Sequence, residues 1–113
     1  MIKSKGWDWK IVEDDSNCVW KIPSIESYYL LDRWKRLGFK SFLDLGCGLG
    51  RHTVLFSSND FETYGFDISE DGLNKTRGWL DSLDLKADLR KGDMIHLPYE
   101  DNSFDCILCR NVI

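Results

Sequence analysis

A short run of glycines between an apolar segment and a helical segment constrains this chain more than any other feature. The run Gly46-Cys47-Gly48-Leu49-Gly50 follows residues 41–45, an apolar stretch that suits a parallel strand buried on both faces. Residues 51–57 then have the pattern of a helix. Glycine adopts positive φ without strain and lets a ligand approach the backbone closely. The sequence therefore predicts a strand, a tight loop and a helix whose free N–H groups favour a negatively charged ligand group.

Strands and helices continue to alternate after the loop, and this alternation indicates the fold class. Further strands are predicted at residues 61–66, 86–91 and 104–109, and Ser69 begins the helix between the first two of these strands. The order βαβαβ-β predicts an α/β fold with a parallel sheet and right-handed crossovers. In such a sheet, a ligand is expected in the crevice beyond the carboxyl end of the first strand.

The residues before the first strand are predicted to form a separate unit. We divide the chain into an aromatic-rich segment with a helix, residues 1–40, and a ligand-binding domain, residues 41–113. The helix is expected between its N-cap Ser24 and the stop signal Gly38. The aromatic residues of the segment are expected to pack on the domain, although an aromatic lid over a ligand is an alternative. They are Trp7, Trp9, Trp20, Tyr28 and Tyr29.

Composition narrows the function classes. The net charge is −4 and no cluster of Lys and Arg stands out, so neither nucleic acid nor an anionic membrane surface is an expected partner. No apolar run approaches the length of a membrane span, and residues 1–7 lack the apolar core of a signal peptide. The expected location is the cytoplasm.

The cysteines are predicted to be structural. The pair Cys106-x-x-Cys109 has the spacing of some metal and redox sites, but it lies in a predicted strand. Side chains three positions apart on a strand point to opposite faces, so these two thiols are poorly placed to share a metal ion. We expect buried, reduced thiols and no metal site.

Acidic residues mark the ends of three predicted strands. Asp44 precedes the glycine loop, and Asp67 ends the second strand about twenty residues beyond the first glycine. A carboxylate at that position can accept hydrogen bonds from both hydroxyls of a ribose. Asp93 follows the third strand, where it can accept from an adenine amino group, and Met94 is a soft apolar cover for the ring. Alone, each feature also has an ordinary explanation as a turn, a helix-capping acid or a loop carboxylate.

A dinucleotide-binding loop is the nearest alternative to these motifs. Its G-x-G-x-x-G pattern would place its third glycine where this chain has Arg51. The segment 42–53 instead resembles motif I of the class I S-adenosylmethionine-dependent methyltransferases. The segments around Asp67 and Asp93 resemble the next two motifs of that family. The resemblance runs from Phe42 to Ile113, and it implies a Rossmann-like parallel sheet.

The resemblance also implies roles for individual residues. In that family the loop backbone packs on the methionine part of S-adenosylmethionine, and the acid before the loop helps to hold its ammonium group. The acid after the second strand binds the ribose, and the residue beside it and the third motif pack around the adenine. The matching cofactor-binding residues here are Asp44, Gly46, Cys47, Gly48, Gly50, Asp67, Ile68, Asp93 and Met94.

The expected function is methyl transfer from S-adenosylmethionine to an unidentified, small-molecule acceptor, with S-adenosylhomocysteine as product. A non-catalytic S-adenosylmethionine-binding or interaction module is the first alternative, and a nicotinamide-binding domain is the second. No catalytic base is assigned, and His52 is expected to be structural. Family members continue past the fourth strand, whereas this chain stops at Ile113. The fourth strand is therefore expected to be an exposed apolar edge that pairs with a second copy or a partner chain.

Overall fold

The computed structural model describes residues 21–109, which form a four-stranded parallel sheet and three helices. The elements, in chain order, are α1 (Ile25–Arg36), β1 (Ser41–Leu45), α2 (Arg51–Ser57), β2 (Glu62–Asp67), α3 (Glu70–Ser82), β3 (Asp88–Lys91) and β4 (Cys106–Leu108). This architecture confirms the predicted α/β fold with a Rossmann-like parallel sheet. Trp7, Trp9 and Trp20 lie outside the described residues, as do residues 110–113.

The strand order β3-β2-β1-β4 places β1 in the interior of the sheet, between β2 and β4. All pairs are parallel, and the register aligns Leu45 of β1 with Phe66 of β2, and Asp67 of β2 with Lys91 of β3. The strands β2 and β3 follow on one side of β1, whereas β4 pairs with β1 on its other side. The carboxyl end of β1 is therefore the switch point at which ligands bind in open α/β sheets.

The helices begin where local chemistry favours a helical start. The hydroxyl of Ser24 accepts a hydrogen bond from the backbone N–H of Ser27 at the start of α1. Ser69 does the same for the N–H of Gly72 at the start of α3. Each interaction satisfies one N–H group that has no partner within its helix. By contrast, α2 begins at Arg51, and its N-cap Gly50 has no side chain that could accept such a bond.

An aromatic core joins β1 to the helices. The ring of Phe42 stacks on that of Phe56 in α2 with their centroids 3.8 Å apart, and Phe61 meets Phe56 edge-on. Trp34 of α1 packs against both members of the stacked pair. The edge-on geometry of Phe61 and Phe56 is one that aromatic rings prefer, and it adds to the hydrophobic gain from burial. This packing fixes α1 and α2 against one face of the sheet.

A second aromatic cluster lies on β2 and the segment before β4. The rings of Tyr64 and Phe66 meet Tyr99 edge-on, and Phe104 packs against both Tyr64 and Tyr99. Tyr64 and Phe66 are two positions apart on one strand, so they share the face opposite to Gly65. The segment between β3 and β4 thus covers part of that face.

Hydrogen bonds of Asp105 tie the start of β4 to the start of β1. Its carboxylate accepts from the backbone N–H groups of Lys40 and Ser41, at 2.7 and 3.2 Å, and the hydroxyl of Ser41 accepts from its N–H at 2.9 Å. The fourth strand was predicted over residues 104–109 but spans Cys106–Leu108. It starts later because Phe104 belongs to the aromatic cluster and Asp105 to this corner.

Several expectations about single side chains need correction. Tyr28 and Tyr29 do not pack fully on the domain, because 50% and 73% of their surfaces are exposed. Cys106 is a buried free thiol as expected, whereas Cys109 is free but exposed. No metal-binding group of His, Cys, Asp and Glu occurs among residues 21–109. Within that same range, no helix combines the length and apolar character that a membrane crossing requires.

Candidate cofactor site

The glycine loop is bonded to the end of the neighbouring strand. The backbone N–H groups of Gly46 and Cys47 both donate to the carbonyl of Phe66, at 2.7 and 3.0 Å. A further bond of 2.8 Å from the N–H of Gly50 to the carbonyl of Cys47 closes the turn that leads into α2. These bonds hold the loop beside the carboxyl end of β2.

Three glycines are required by the path of the loop. Gly46, Gly48 and Gly50 have φ values of +78°, +57° and +88°, a region in which side chains are strained. At Gly50 there is also no space, because a Cβ would lie 2.5 Å from Cγ2 of Thr76 in α3. The hydroxyl of Thr76 in turn lies 3.0 Å from the carbonyl oxygen of Gly48. Backbone conformation and close packing therefore both exclude larger residues here.

Asp67 fastens the loop to the start of α3. Its Oδ2 accepts from the N–H of Gly48 at 2.7 Å, and its Oδ1 accepts from the N–H of Ser69 at 2.8 Å. The side chain is buried at the carboxyl end of β2, as the sequence indicates. A carboxylate oxygen has capacity for more than one hydrogen bond, so these contacts leave room for a further donor. The expected ribose contact of Asp67 stays a prediction.

Asp44 is fully buried in β1 beside the loop. Its Oδ2 accepts from the hydroxyl of Thr53 at 2.7 Å, whereas its Oδ1 has no hydrogen-bond partner within the described part of the chain. Burial raises the pKa of Asp44 to about 7, against the lowering effect of Thr53. A buried carboxylate oxygen without a donor is costly, and a donor from outside the protein would remove that cost.

Asp93 lies beside the end of β2. The N–H of Gly92 donates to the carbonyl of Asp67 at 3.0 Å, which continues the pairing past β3. The carboxylate of Asp93 accepts from the N–H of Ile95 at 3.0 Å and so shapes the following turn. Asp93 and Met94 are half-buried, as is Ile68 after β2. Their expected places around an adenine ring stay predictions.

The structure brings most of the predicted residues to one edge of the sheet. Asp44, Asp67 and the loop lie at the carboxyl ends of β1 and β2, and Asp93 lies just past the end of β3. Cys47 of the loop is a buried free thiol, and burial together with the negative charges of Asp44 and Asp67 raises its pKa. A surface cavity of about 480 Å³ lies elsewhere, near the amino ends of β2 and β3 between Phe61 and Asp88.

Sequence reasoning missed the two threonines that support this site. Thr53 donates a hydrogen bond to Asp44, and Thr76 packs against Gly50. Both threonines are fully buried. Thr53 is the third residue of α2 and follows the glycine loop closely in the sequence. A hydroxyl at that position was the one sequence signal that could have indicated its role. His52 is buried, and its Nε2 accepts from the backbone N–H of Ser24 at 3.2 Å. This is a structural role of the kind expected for His52.

Comparison with known proteins agrees with this geometry. A family model described as a methyltransferase domain matches residues 42–113. That range is more than half of the chain, and it begins in β1 and includes the whole glycine loop.

Two bacterial relatives bear the name demethylmenaquinone methyltransferase. The chain is 32% identical over 100 residues to the protein of Staphylococcus aureus, a match that covers 86% of this chain and 39% of that protein. It is 36% identical over 69 residues to the protein of Bacillus mycoides, covering 58% of this chain and 29% of that protein. The chain thus spans well under half the length of these relatives.

A solved structure extends the likeness to three dimensions. An S-adenosylmethionine-dependent methyltransferase from Clostridium acetobutylicum superposes with a TM-score of 0.64 at 26% identity. The match covers 74% of this chain and 34% of that one. From the family match and the shared parallel sheet with its glycine loop, we conclude that the chain belongs to the class I S-adenosylmethionine-dependent methyltransferases.

Proposed function

We propose that this chain binds S-adenosylmethionine at the carboxyl ends of β1, β2 and β3. The methyl group of this cofactor is transferred to a small-molecule acceptor. The observation that supports this most directly is the buried Oδ1 of Asp44, which has no donor among the described residues. The cofactor carries an ammonium group on its methionine part, and such a group is a charged donor that fits an unsatisfied carboxylate oxygen.

The remaining residues of the site fit the other parts of the cofactor. The loop lacks side chains at three positions of positive φ, so its backbone is open to close approach by a ligand. Asp67 retains hydrogen-bonding capacity for ribose hydroxyls, and the half-buried side chains after β2 and β3 offer apolar surface for a purine. The residues proposed to hold the cofactor are Asp44, Gly46, Cys47, Gly48, Gly50, Asp67, Ile68, Asp93 and Met94.

When bound, the cofactor supplies a sulfonium methyl group, which passes to a lone pair of the acceptor while the carbon–sulfur bonding electrons stay on sulfur. The residues of this chain bind and orient. Positioning of this kind accounts for up to roughly 7–11 kcal/mol of barrier lowering in favourable systems. No side chain of this chain has to act as a nucleophile.

A small-molecule acceptor is supported by charge and by the relatives. The chain is acidic, with a net charge of −4, which disfavours a nucleic-acid substrate. The two bacterial relatives are named for demethylmenaquinone. We propose a small organic acceptor for this chain as well.

A non-catalytic module that binds the same cofactor is the second candidate. It is favoured by the edge that β4 forms among the described residues, where half of the surface of Ile107 is exposed. Release of S-adenosylhomocysteine in the presence of candidate acceptors separates the two functions. A module without activity binds the cofactor but releases no product.

Substitution of Asp67 tests the proposed site. We expect Asp67→Asn to weaken the binding of S-adenosylhomocysteine by about 1.5–3 kcal/mol, the range for hydrogen bonds to charged groups, measured by titration calorimetry. Asp60→Asn is the matched control, because Asp60 is exposed just before β2, at the opposite end of that strand. Unchanged affinity in Asp67→Asn removes this residue from the site, and absence of binding by the wild-type chain overturns the proposed function.

A further inference from the structure

The two carboxylate oxygens of Asp44 differ in their hydrogen bonding. Oδ2 accepts a hydrogen bond of 2.7 Å from the hydroxyl of Thr53, and both residues are fully buried. Oδ1 has no partner in residues 21–109. The hydroxyl occupies one oxygen and restrains the rotation of the carboxyl group, so it helps to orient the other oxygen.

Surrounding groups hold Thr53 in this position. Its side chain lies over Gly65 of β2, where a Cβ would be 3.4 Å from the threonine hydroxyl and 3.3 Å from the sulfur of Cys47. Thr53 and Cys47 thus pack closely against Gly65, although the tightest contact of such a Cβ would be with Cδ2 of Leu89, at 2.7 Å. Thr53 is also in the first turn of α2, so its backbone position is set by the helix that follows the loop.

We propose that Thr53 is a positioning residue that presents Oδ1 of Asp44 to the amino group of the cofactor, and that Asp44 must lose its proton for this group to bind. The inference rests on the proposed function. It goes beyond that function because it assigns a role to Thr53 and couples cofactor binding to proton release.

The charged groups around Asp44 place this coupling near neutral pH. Burial and the negative charge of Asp67 raise the pKa of Asp44, whereas Thr53 and the guanidinium of Arg51 lower it, with a net value of about 7. Burial raises the pKa of the thiols of Cys47 and Cys109, and the negative charge of Asp44 raises both further. The carboxyl group is therefore divided between its two forms at neutral pH.

A ligand with an amino group must then bind with an affinity that depends on pH. Below a pH of about 7, the fraction of ionised Asp44 falls, so the affinity declines toward tenfold per pH unit. A ligand that lacks the amino group gains nothing from the ionised form. S-Adenosylhomocysteine and 5′-methylthioadenosine form such a pair, because they share the adenosine and the thioether and differ in the aminocarboxypropyl chain.

The first experiment compares these two ligands with the wild-type chain by calorimetry between pH 5.5 and 8. We expect the dissociation constant of S-adenosylhomocysteine to rise at least tenfold from pH 7.5 to pH 5.5, relative to that of 5′-methylthioadenosine. Repetition in buffers of different ionisation enthalpy should show release of close to one proton at pH 6 for the first ligand only. Titrating groups that act on the shared adenosine and thioether affect both ligands and cancel in the ratio.

The second experiment tests Thr53 with two variants. Thr53→Val keeps the shape and removes the hydroxyl donor, so we expect the acidic limb of the pH profile to move upward by about one pH unit. Thr53→Ser retains the donor and should restore the wild-type midpoint. A packing role alone would weaken both ligands equally and leave the midpoint in place. Thermal unfolding verifies that each variant is folded.

The possible outcomes separate the two proposals. If both ligands bind with the same pH dependence, the coupling to Asp44 is wrong while the site stands. If Thr53→Val lowers the affinity for both ligands without moving the midpoint, the positioning role is wrong. If neither ligand binds the wild-type chain, the proposed function and this inference are overturned together.

Discussion

A buried carboxyl group such as Asp44 is tolerated because it can keep its proton, and the uncharged form loses less hydration free energy on burial than the charged form. The folded protein holds this proton up to a pH of about 7, whereas the unfolded chain releases it near the ordinary value of 3.8. Between these values the folded state binds more protons than the unfolded state. Linkage then requires that stability falls as the pH rises through this window and levels off above it.

We predict that Asp44→Asn removes this pH dependence from the ligand-free chain. The wild-type free energy of unfolding should fall between pH 4 and pH 7 relative to the variant, by at most about 1.4 kcal/mol per pH unit for one proton. Urea denaturation at each pH measures the difference. Asp60→Asn should follow the wild-type curve, and parallel curves for wild type and Asp44→Asn would show that Asp44 does not titrate in this window.

The identity of the site residues was readable in the sequence, but their partners were not. Asp44 and Asp67 were located from strand ends and glycine spacing, and both lie at the predicted edge of the sheet. The bonds from Thr53 to Asp44 and from Gly48 to Asp67 join residues 9 and 19 positions apart. Such bonds depend on how α2 and β2 pack, which a local pattern of residues does not encode.

At the scale of elements, segments with clear boundary signals were predicted better than segments without them. The predicted limits of β1 and α2 agree with the structure, because an apolar run and a glycine loop mark them on both sides. The third strand was predicted over 86–91 and begins at Asp88. The pairing of Asp88 with Tyr64 sets that limit, so it depends on the neighbouring strand and not on the sequence of β3 alone.

The corner formed by Asp105 should control the pairing of β4 with β1. We predict that Asp105→Asn speeds hydrogen exchange at the backbone amides of Lys40 and Ser41, since a neutral acceptor binds them more weakly. These hydrogen bonds lower the pKa of Asp105 below its ordinary value of 3.8. The stabilisation from these hydrogen bonds is therefore present above the ordinary pKa of 3.8, and it is lost as the pH falls through the lowered pKa of Asp105.

Exchange measured by NMR near neutral pH and in acid checks this expectation. Asp101→Asn, an exposed carboxylate in the preceding turn, is the matched control and should leave both amides protected. Wild type and Asp105→Asn should converge in acid. A difference that persists there would mean that the charge of Asp105 is not the cause.

At the scale of the whole molecule, residues 21–109 cover the two faces of the sheet unequally. The helices pack on the face that carries Phe42, whereas on the other face Ile107 of the edge strand β4 is 52% exposed. Exposed apolar side chains on an edge strand favour pairing with another chain. The expected oligomer or partner at β4 therefore stays a prediction.

We predict self-association of the chain through β4, and its loss in Ile107→Lys. A charge on an edge strand opposes pairing, so sedimentation velocity at micromolar concentration should show a smaller species for the variant. Ile95→Lys is the control, since Ile95 is 43% exposed but lies in the turn after β3. A wild-type chain that sediments as a monomer would contradict the prediction.

The two backbone hydrogen bonds that the carboxylate of Asp67 accepts have a consequence for ligand affinity. Its two backbone bonds hold the loop and the start of α3 in one arrangement while no ligand is present. The conformational entropy of these segments is therefore lost when the chain folds and not when a ligand arrives. Because a preorganised site does not have to be ordered by its ligand, more of each contact is retained as binding free energy.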